Sequence, residues 1–108
     1  MLDFIKHDIE KLNSTCAKHN VSQLYIFGSA VTKDFTTHSD IDFLVTFENV
    51  NPFEYFDNFM DFKNSLETLY DRKVDLVESQ TIKNPILKRS IDRRKKLVYG
   101  RENSQVLV

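Results

Sequence analysis

A single cysteine, Cys16, rules out an internal disulfide. With only two glycines and two prolines, the chain shows no linker-like or low-complexity segment, and it carries no internal repeat. No apolar run approaches the roughly 20 residues that a membrane-spanning helix needs, and no signal-peptide pattern opens the chain. The cytoplasm is therefore the expected location and a membrane is not an expected partner. An excess of charge of one sign is also missing. Fifteen Lys and Arg stand against 16 Asp and Glu, a formal net charge of −1. Broad binding along a phosphate backbone needs a basic surface, so nucleic acid is not the expected partner either.

What is present is the composition of a globular protein, 41% hydrophobic and 29% charged over 108 residues. That length supports one core but not two. The expected organisation is a single domain over residues 1–100, followed by a polar tail at 101–108. Leu2, Ile5, Ile9, Leu12 and Cys16 recur at three- and four-residue steps, the stripe of an amphipathic helix over roughly 2–18. Cys16 falls on that stripe and reads as a small core residue. His7 and His19 lie off it and are expected in solvent, and Asn20 is the helix stop.

Residues 23–27 read as a buried strand and about 40–47 as a second, with a short helix from Ser29 to about Asp34 and a loop at 35–38 between them. Asn51-Pro52 is a helix opening, a capping side chain followed by proline at the first helical position. That helix should run to about Tyr70. It has one full apolar stripe (Tyr55, Phe59, Phe62, Leu66, Leu69) and a second, shorter one (Phe53, Phe56, Met60). The second stripe is either covered by the first helix or left as a partner surface. Val74–Val77 reads as a third strand. Asn84-Pro85 opens a basic helix with Leu87 and Ile91 inward, and Leu97–Tyr99 forms a last short strand.

Chemistry concentrates in two short pieces. Phe27-Gly28-Ser29-Ala30 ends an apolar run with a Gly-Ser pair, which lets a strand turn sharply and present backbone N–H groups to an anion. Ser39-Asp40-Ile41-Asp42-Phe43-Leu44-Val45 then places two carboxylates at the start of a strand. Side chains two apart on a strand share a face, so Asp40 and Asp42 project together. They repel each other unless something positive lies between them, and hard oxygen ligands in this arrangement suit Mg²⁺. Asp75, flanked by Val74 and Leu76, should face as Asp42 does, so neighbouring strands would gather three carboxylates. The competing reading pairs each aspartate with a lysine or arginine, such as Lys73 or one from the C-terminal helix.

Phe27-Gly28-Ser29 through Ser39–Val45, with Lys73-Val74-Asp75-Leu76-Val77 downstream, resembles the minimal nucleotidyltransferases of the DNA polymerase beta superfamily, over most of the chain. The resemblance implies an α+β fold, a small mixed sheet with helices mainly on one face. It implies that Gly28 and Ser29 hold a nucleoside triphosphate, with Lys33 and Ser39 as further nucleotide contacts. Asp40, Asp42 and Asp75 would bind two Mg²⁺ ions and carry catalysis, transferring AMP from ATP to an acceptor hydroxyl. Where family members often carry basic residues after Gly-Ser, this chain has Ala30, Thr32 and Lys33. Arg72, Lys73 or the basic C-terminal helix are the other sources of positive charge.

A sheet and its helices use nearly all of the sequence, leaving no acceptor-binding domain. The acceptor is then a folded macromolecule, or another subunit completes the site. Proteins of this kind resemble antitoxins whose partner is a HEPN-domain toxin, which implies transfer of AMP to a toxin tyrosine. Two other classes stay open: a non-catalytic antitoxin that neutralises its partner by complex formation, and a subunit that modifies a small molecule or an RNA end. A homo-oligomer is also left open.

Overall fold

A computed structural model describes residues 3–32, 36 and 38–101. Met1, Leu2, Lys33, Asp34, two of the four residues of the 35–38 loop and the expected tail from 102 onward lie outside the described residues. Among the described residues no helix is long and apolar enough to cross a membrane.

The expected first helix is two helices, α1 (Asp3–His7) and α2 (Ile9–Lys18). The break falls at Asp8, whose backbone leaves helical geometry at φ −113° and ψ 28°. Its carbonyl accepts the Leu12 N–H at 2.9 Å, while its carboxylate turns to the His7 ring at 3.3 Å. The apolar stripe survives the break, because Ile5, Leu12 and Cys16 are fully buried. Asn20 ends α2 in the left-handed region, φ 60°, the position at which asparagine commonly stops a helix.

Strands β1 (Val21–Phe27), β2 (Ile41–Phe47), β3 (Val74–Glu78) and β4 (Lys96–Gly100) form one mixed sheet in the order β3-β2-β1-β4. The β1 strand runs antiparallel to β2 and β4, whereas β2 and β3 are parallel. Alternation sorts the side chains. Leu24, Ile26, Ile41, Phe43, Val45, Val74, Leu76 and Val98 join α1, α2 and the long helix α3 (Tyr55–Tyr70) in the main core. On the other face Tyr25 and Leu44, with Phe27, Val77 and Leu97, form a smaller cluster.

The Asn51 side chain accepts the Phe53 N–H at 2.9 Å, and a single 3₁₀ turn at Pro52–Glu54 precedes α3. Phe62 and Leu66 are completely buried on its sheet-facing stripe. Each such side chain contributes about 1.5–3 kcal/mol, and Phe47 packs its ring edge-on against Tyr55, Phe59 and Phe62.

His19 departs from expectation. It is only 4% exposed, with Nδ1 donating to the Thr15 carbonyl at 2.7 Å and Nε2 2.9 Å from the Asp61 carboxylate of α3. The end of α2 is thereby tied to α3, and the Asn58 amide donates to the His19 carbonyl in the same joint. Because α2 docks on this side of α3, it does not cover the second apolar stripe. Phe53 and Phe56 stay 97% and 71% exposed.

The last helix, α4 (Pro85–Arg94), is opened by the Asn84 side chain, which accepts the Ile86 and Leu87 N–H groups. Among the described helices only α4 packs on the second face of the sheet, through Ile91 against Tyr25 and Leu44. Leu87 is not inward as its spacing predicted. It is 51% exposed and belongs to neither buried cluster, because α4 meets the sheet one turn later, at Ile91. The face that bears the carboxylates is therefore partly covered, by α4, and open where β2 and β3 begin.

Candidate active site

Asp42 and Asp75 are register partners on the parallel pair β2 and β3. Both point to the face of Leu44 and Val77, as two-residue alternation requires. Asp40 sits two residues before Asp42, just ahead of β2, and is exposed, as is Asp75; Asp42 is half-buried. Burial pushes the Asp42 carboxyl above the ordinary carboxylate range, and the charges of Asp75 and then Asp40 push it the same way.

None of the ion pairs among the described residues engages these three side chains. Among the described residues, then, no ion pair supports the alternative in which each aspartate is neutralised by a lysine or arginine. Lys73 instead lies near Glu67 and helps hold that carboxyl below its ordinary range, an effect led by the Val74 N–H hydrogen bond. Among the described residues the three carboxylates do not themselves close into a three-ligand cluster; Asp42 and Asp75 are paired across the strands and Asp40 stands beside them.

Gly28 explains how Asp42 is accommodated. Its φ is +71°, and a Cβ built there would run into the Asp42 carboxylate. Only glycine allows both the left-handed turn and this close approach. The expected short helix after it is a single 3₁₀ turn, Gly28–Val31, closed by the Thr32 N–H and hydroxyl on the Ser29 carbonyl at 3.0 Å each. The Gly28-Ser29 turn and Asp42 therefore meet at one corner, since Phe27 is the register partner of Asp42.

The remaining expected nucleotide contacts divide. Lys33 lies outside the described residues. Ser39 serves its own loop, its hydroxyl accepting the Thr36 N–H at 2.9 Å. Arg72, one of the candidate phosphate cations, turns instead to the Thr36 and Ser39 carbonyls, to which Nη1 donates at 2.9 and 3.1 Å. Nothing in the sequence signals that brace, since the partners are backbone atoms more than 30 residues away. In α4, Lys88 and Lys95 are both tied to Asp92, and Lys95 also lies 4.2 Å above the Tyr25 ring. Arg89, Arg93 and Arg94 are exposed and enter none of the ion pairs among the described residues, on a helix that approaches the Gly28–Val31 turn.

The donor set suits a hard divalent cation: oxygen ligands only, gathered like charges, and no ion pair to any of the three among the described residues. A site of this kind can hold Mg²⁺ together with the phosphates of a nucleotide.

Residues 10–104 match the family model described as polymerase beta, nucleotidyltransferase. Two candidate protein adenylyltransferases of Methanocaldococcus jannaschii are 35% and 39% identical over 75 residues, covering 69% of this chain and 74% of each relative. The structure of a candidate minimal nucleotidyltransferase superposes with a TM-score of 0.72 at 27% identity, covering 88% of this chain and 93% of that one. A chain from the complex of a tri-AMPylated Shewanella oneidensis HEPN toxin with MNT antitoxin gives 0.63 at 18% identity, covering 95% and 78%. The last likeness is one of fold.

Proposed function

This chain belongs to the polymerase beta nucleotidyltransferase family and is a nucleotidyltransferase, and from that premise we propose that it moves AMP from ATP to a hydroxyl of a protein partner. The partner we propose is a HEPN-type toxin, the acceptor one of its tyrosines, and the consequence neutralisation of the toxin. The reading takes residues 1–100 as the catalytic domain and the cytoplasm as the place of action. One observation carries it: Asp42 and Asp75 are partners across parallel strands, against a glycine corner and beside Asp40, and none of the ion pairs among the described residues engages them.

In this reading Asp40, Asp42 and Asp75 hold two Mg²⁺ ions. When bound, the metal lowers the pKa of the acceptor hydroxyl and neutralises charge on the departing pyrophosphate. The chain's own groups do the rest. The Gly28-Ser29 turn receives the triphosphate, assisted by Lys33 and Ser39. The exposed arginines of α4 supply positive charge in place of the basic residues that Ala30 and Thr32 do not provide. The acceptor oxygen bonds to the α-phosphorus, the bond from that phosphorus to the pyrophosphate oxygen breaks, and the hydroxyl proton passes to the Asp75 carboxylate.

The partner reading draws on a surface as well as on the likeness to an antitoxin fold. Beside the exposed Phe53 and Phe56, an apolar groove of about 430 Å³ runs between α3 and the edge strand β3, lined by Tyr55, Phe59, Met60 and Val77. Val77 lies two residues from Asp75 on the same strand, so a protein seated there sits about 7 Å along the strand from the carboxylates.

The test is to incubate the protein with α-labelled ATP, Mg²⁺ and the HEPN-family partner. Label should appear on the partner and disappear with Asp40→Ala plus Asp42→Ala. No label, or label that survives the double substitution, refutes the proposal. A second reading, neutralisation by complex formation alone, is favoured by Ala30 and Thr32, which leave the turn itself without a cation. Under it the double alanine variant protects cells as well as wild type.

A further inference from the structure

We infer that Arg72 is a positioning residue of the site: its guanidinium latches the segment that delivers Asp40 onto the strand that carries Asp75. The inference rests on the reading of the carboxylates given above.

Asp42 and Asp75 are fixed by the β2–β3 ladder, and the Ile41 N–H donates to the Lys73 carbonyl at 3.0 Å where the two strands start. Asp40 has no such support, because it precedes β2 and pairs with no strand. What holds it is the turn before it. The Ser39 N–H donates to the Thr36 carbonyl at 3.1 Å, and the Ser39 hydroxyl accepts the Thr36 N–H at 2.9 Å. Arg72 Nη1 donates to the two carbonyls of this small ring, at 2.9 Å to Thr36 and 3.1 Å to Ser39.

Arg72 is itself anchored from both sides. It follows Asp71, which ends α3 in the left-handed region at φ 51°, and its own N–H returns to the Glu67 carbonyl. The Glu67 carboxylate in turn accepts the Val74 N–H at 2.9 Å, and the guanidinium lies over the Phe4 ring, 5.9 Å from its centre. One side chain thus joins α1 and the approach to β2 to the start of β3, which the sheet already registers. Charge-assisted hydrogen bonds to carbonyls are strong enough for this. A group that orients a ligand without touching the metal still governs affinity, since loss of such partners commonly costs about 10- to 100-fold.

The test titrates Mn²⁺ against the full chain in the presence of a non-hydrolysable ATP analogue, with bound metal read by electron paramagnetic resonance. Backbone amide exchange is followed in parallel. Arg72→Met keeps the apolar stem over Phe4 and removes every donor. It should weaken Mn²⁺ about tenfold or more and speed exchange at Ser39, Asp40 and Ile41, with exchange in the α3 core unchanged. Arg72→Lys, which keeps a charged donor, should recover most of the affinity. Should Arg72→Met not fold, Arg72→Leu, which also lacks a donor, takes its place with the same expectation. Metal affinity equal to wild type in Arg72→Met, or loss of affinity that Arg72→Lys does not relieve, overturns the inference. If Asp42→Asn binds Mn²⁺ as tightly as wild type, the metal assignment itself falls and this inference with it, so the two failures are told apart.

Discussion

Neutralising Asp42 should stabilise the protein while removing its activity. Asp42→Asn keeps the shape of the side chain and deletes one of three gathered charges. Parallel strand neighbours lie about 4.8 Å apart, so full charges on Asp42 and Asp75 would repel by about 3.5 kcal/mol at an effective dielectric of about 20. Asp75 is exposed and Asp42 half-buried, and screening reduces this to about 1 kcal/mol. In a domain of this size that corresponds to about 4–8 °C in melting temperature. The direction in pH follows from the raised Asp42 carboxyl. A folded-state value above the unfolded one makes the protonated protein the more stable, and that stability is lost as pH rises through the folded value. The advantage of the variant over wild type is therefore largest near neutral pH and closes as pH falls into the carboxylate range. Mg²⁺ reverses the ranking, because at ten times its dissociation constant it stabilises wild type by about 1.4 kcal/mol and leaves the variant unmoved. Thermal melts at pH 5 and pH 7.5, in chelator and in Mg²⁺, read all of this. A variant that melts below wild type in chelator at neutral pH would show that the Asp42 carboxylate makes stabilising contacts, and the argument for a cation site would fail.

Gly28→Ala should cost about 1–3 kcal/mol in urea unfolding, from the left-handed backbone alone, and should abolish nucleotidyl transfer by displacing the Asp42 carboxylate that a Cβ would meet. Phe53→Ser with Phe56→Ser should leave stability within about 0.5 kcal/mol, because both rings are exposed, yet weaken the partner complex measured by calorimetry. Burial pushes the Cys16 thiol up to about 12, so iodoacetamide at pH 8 should label it only through unfolding; rapid labelling of the native protein would contradict its place in the core.

Where local rules decide, the chain is legible in advance. Asn51-Pro52 and Asn84-Pro85 open helices as capping chemistry requires, and the alternation around Asp42 and Asp75 correctly forecasts that both share a face. Readings that depended on a distant partner went astray. His19 lies off the apolar stripe, yet α3 arrives with Asp61 and encloses it. Leu87 has inward spacing, but spacing does not say which turn of a helix touches the sheet, and Ile91 does. The backbone leaves helical geometry at Asp8 while the apolar stripe runs on, so hydrophobic period alone does not reveal the break. Arg72 was legible only as a charge. Its role depends on carbonyls that the sequence pattern cannot display.

The destabilising features and the useful ones coincide. Strands β2 and β3 run parallel and start together, so their first outward side chains fall side by side, and here both are aspartates. A structural solution would set a lysine between them; Lys73, two residues before Asp75, acts instead on Glu67 of α3. The positive charge of the same face is carried by α4, where Arg89, Arg93 and Arg94 lie on a helix that reaches the Gly28 turn. Acidic strand ends and a helix rich in arginine thus lie on one side of the sheet. Under the proposed function a triphosphate with divalent metal would complement both at once, and that would give α4 a reason to depart from the layer that holds the other helices.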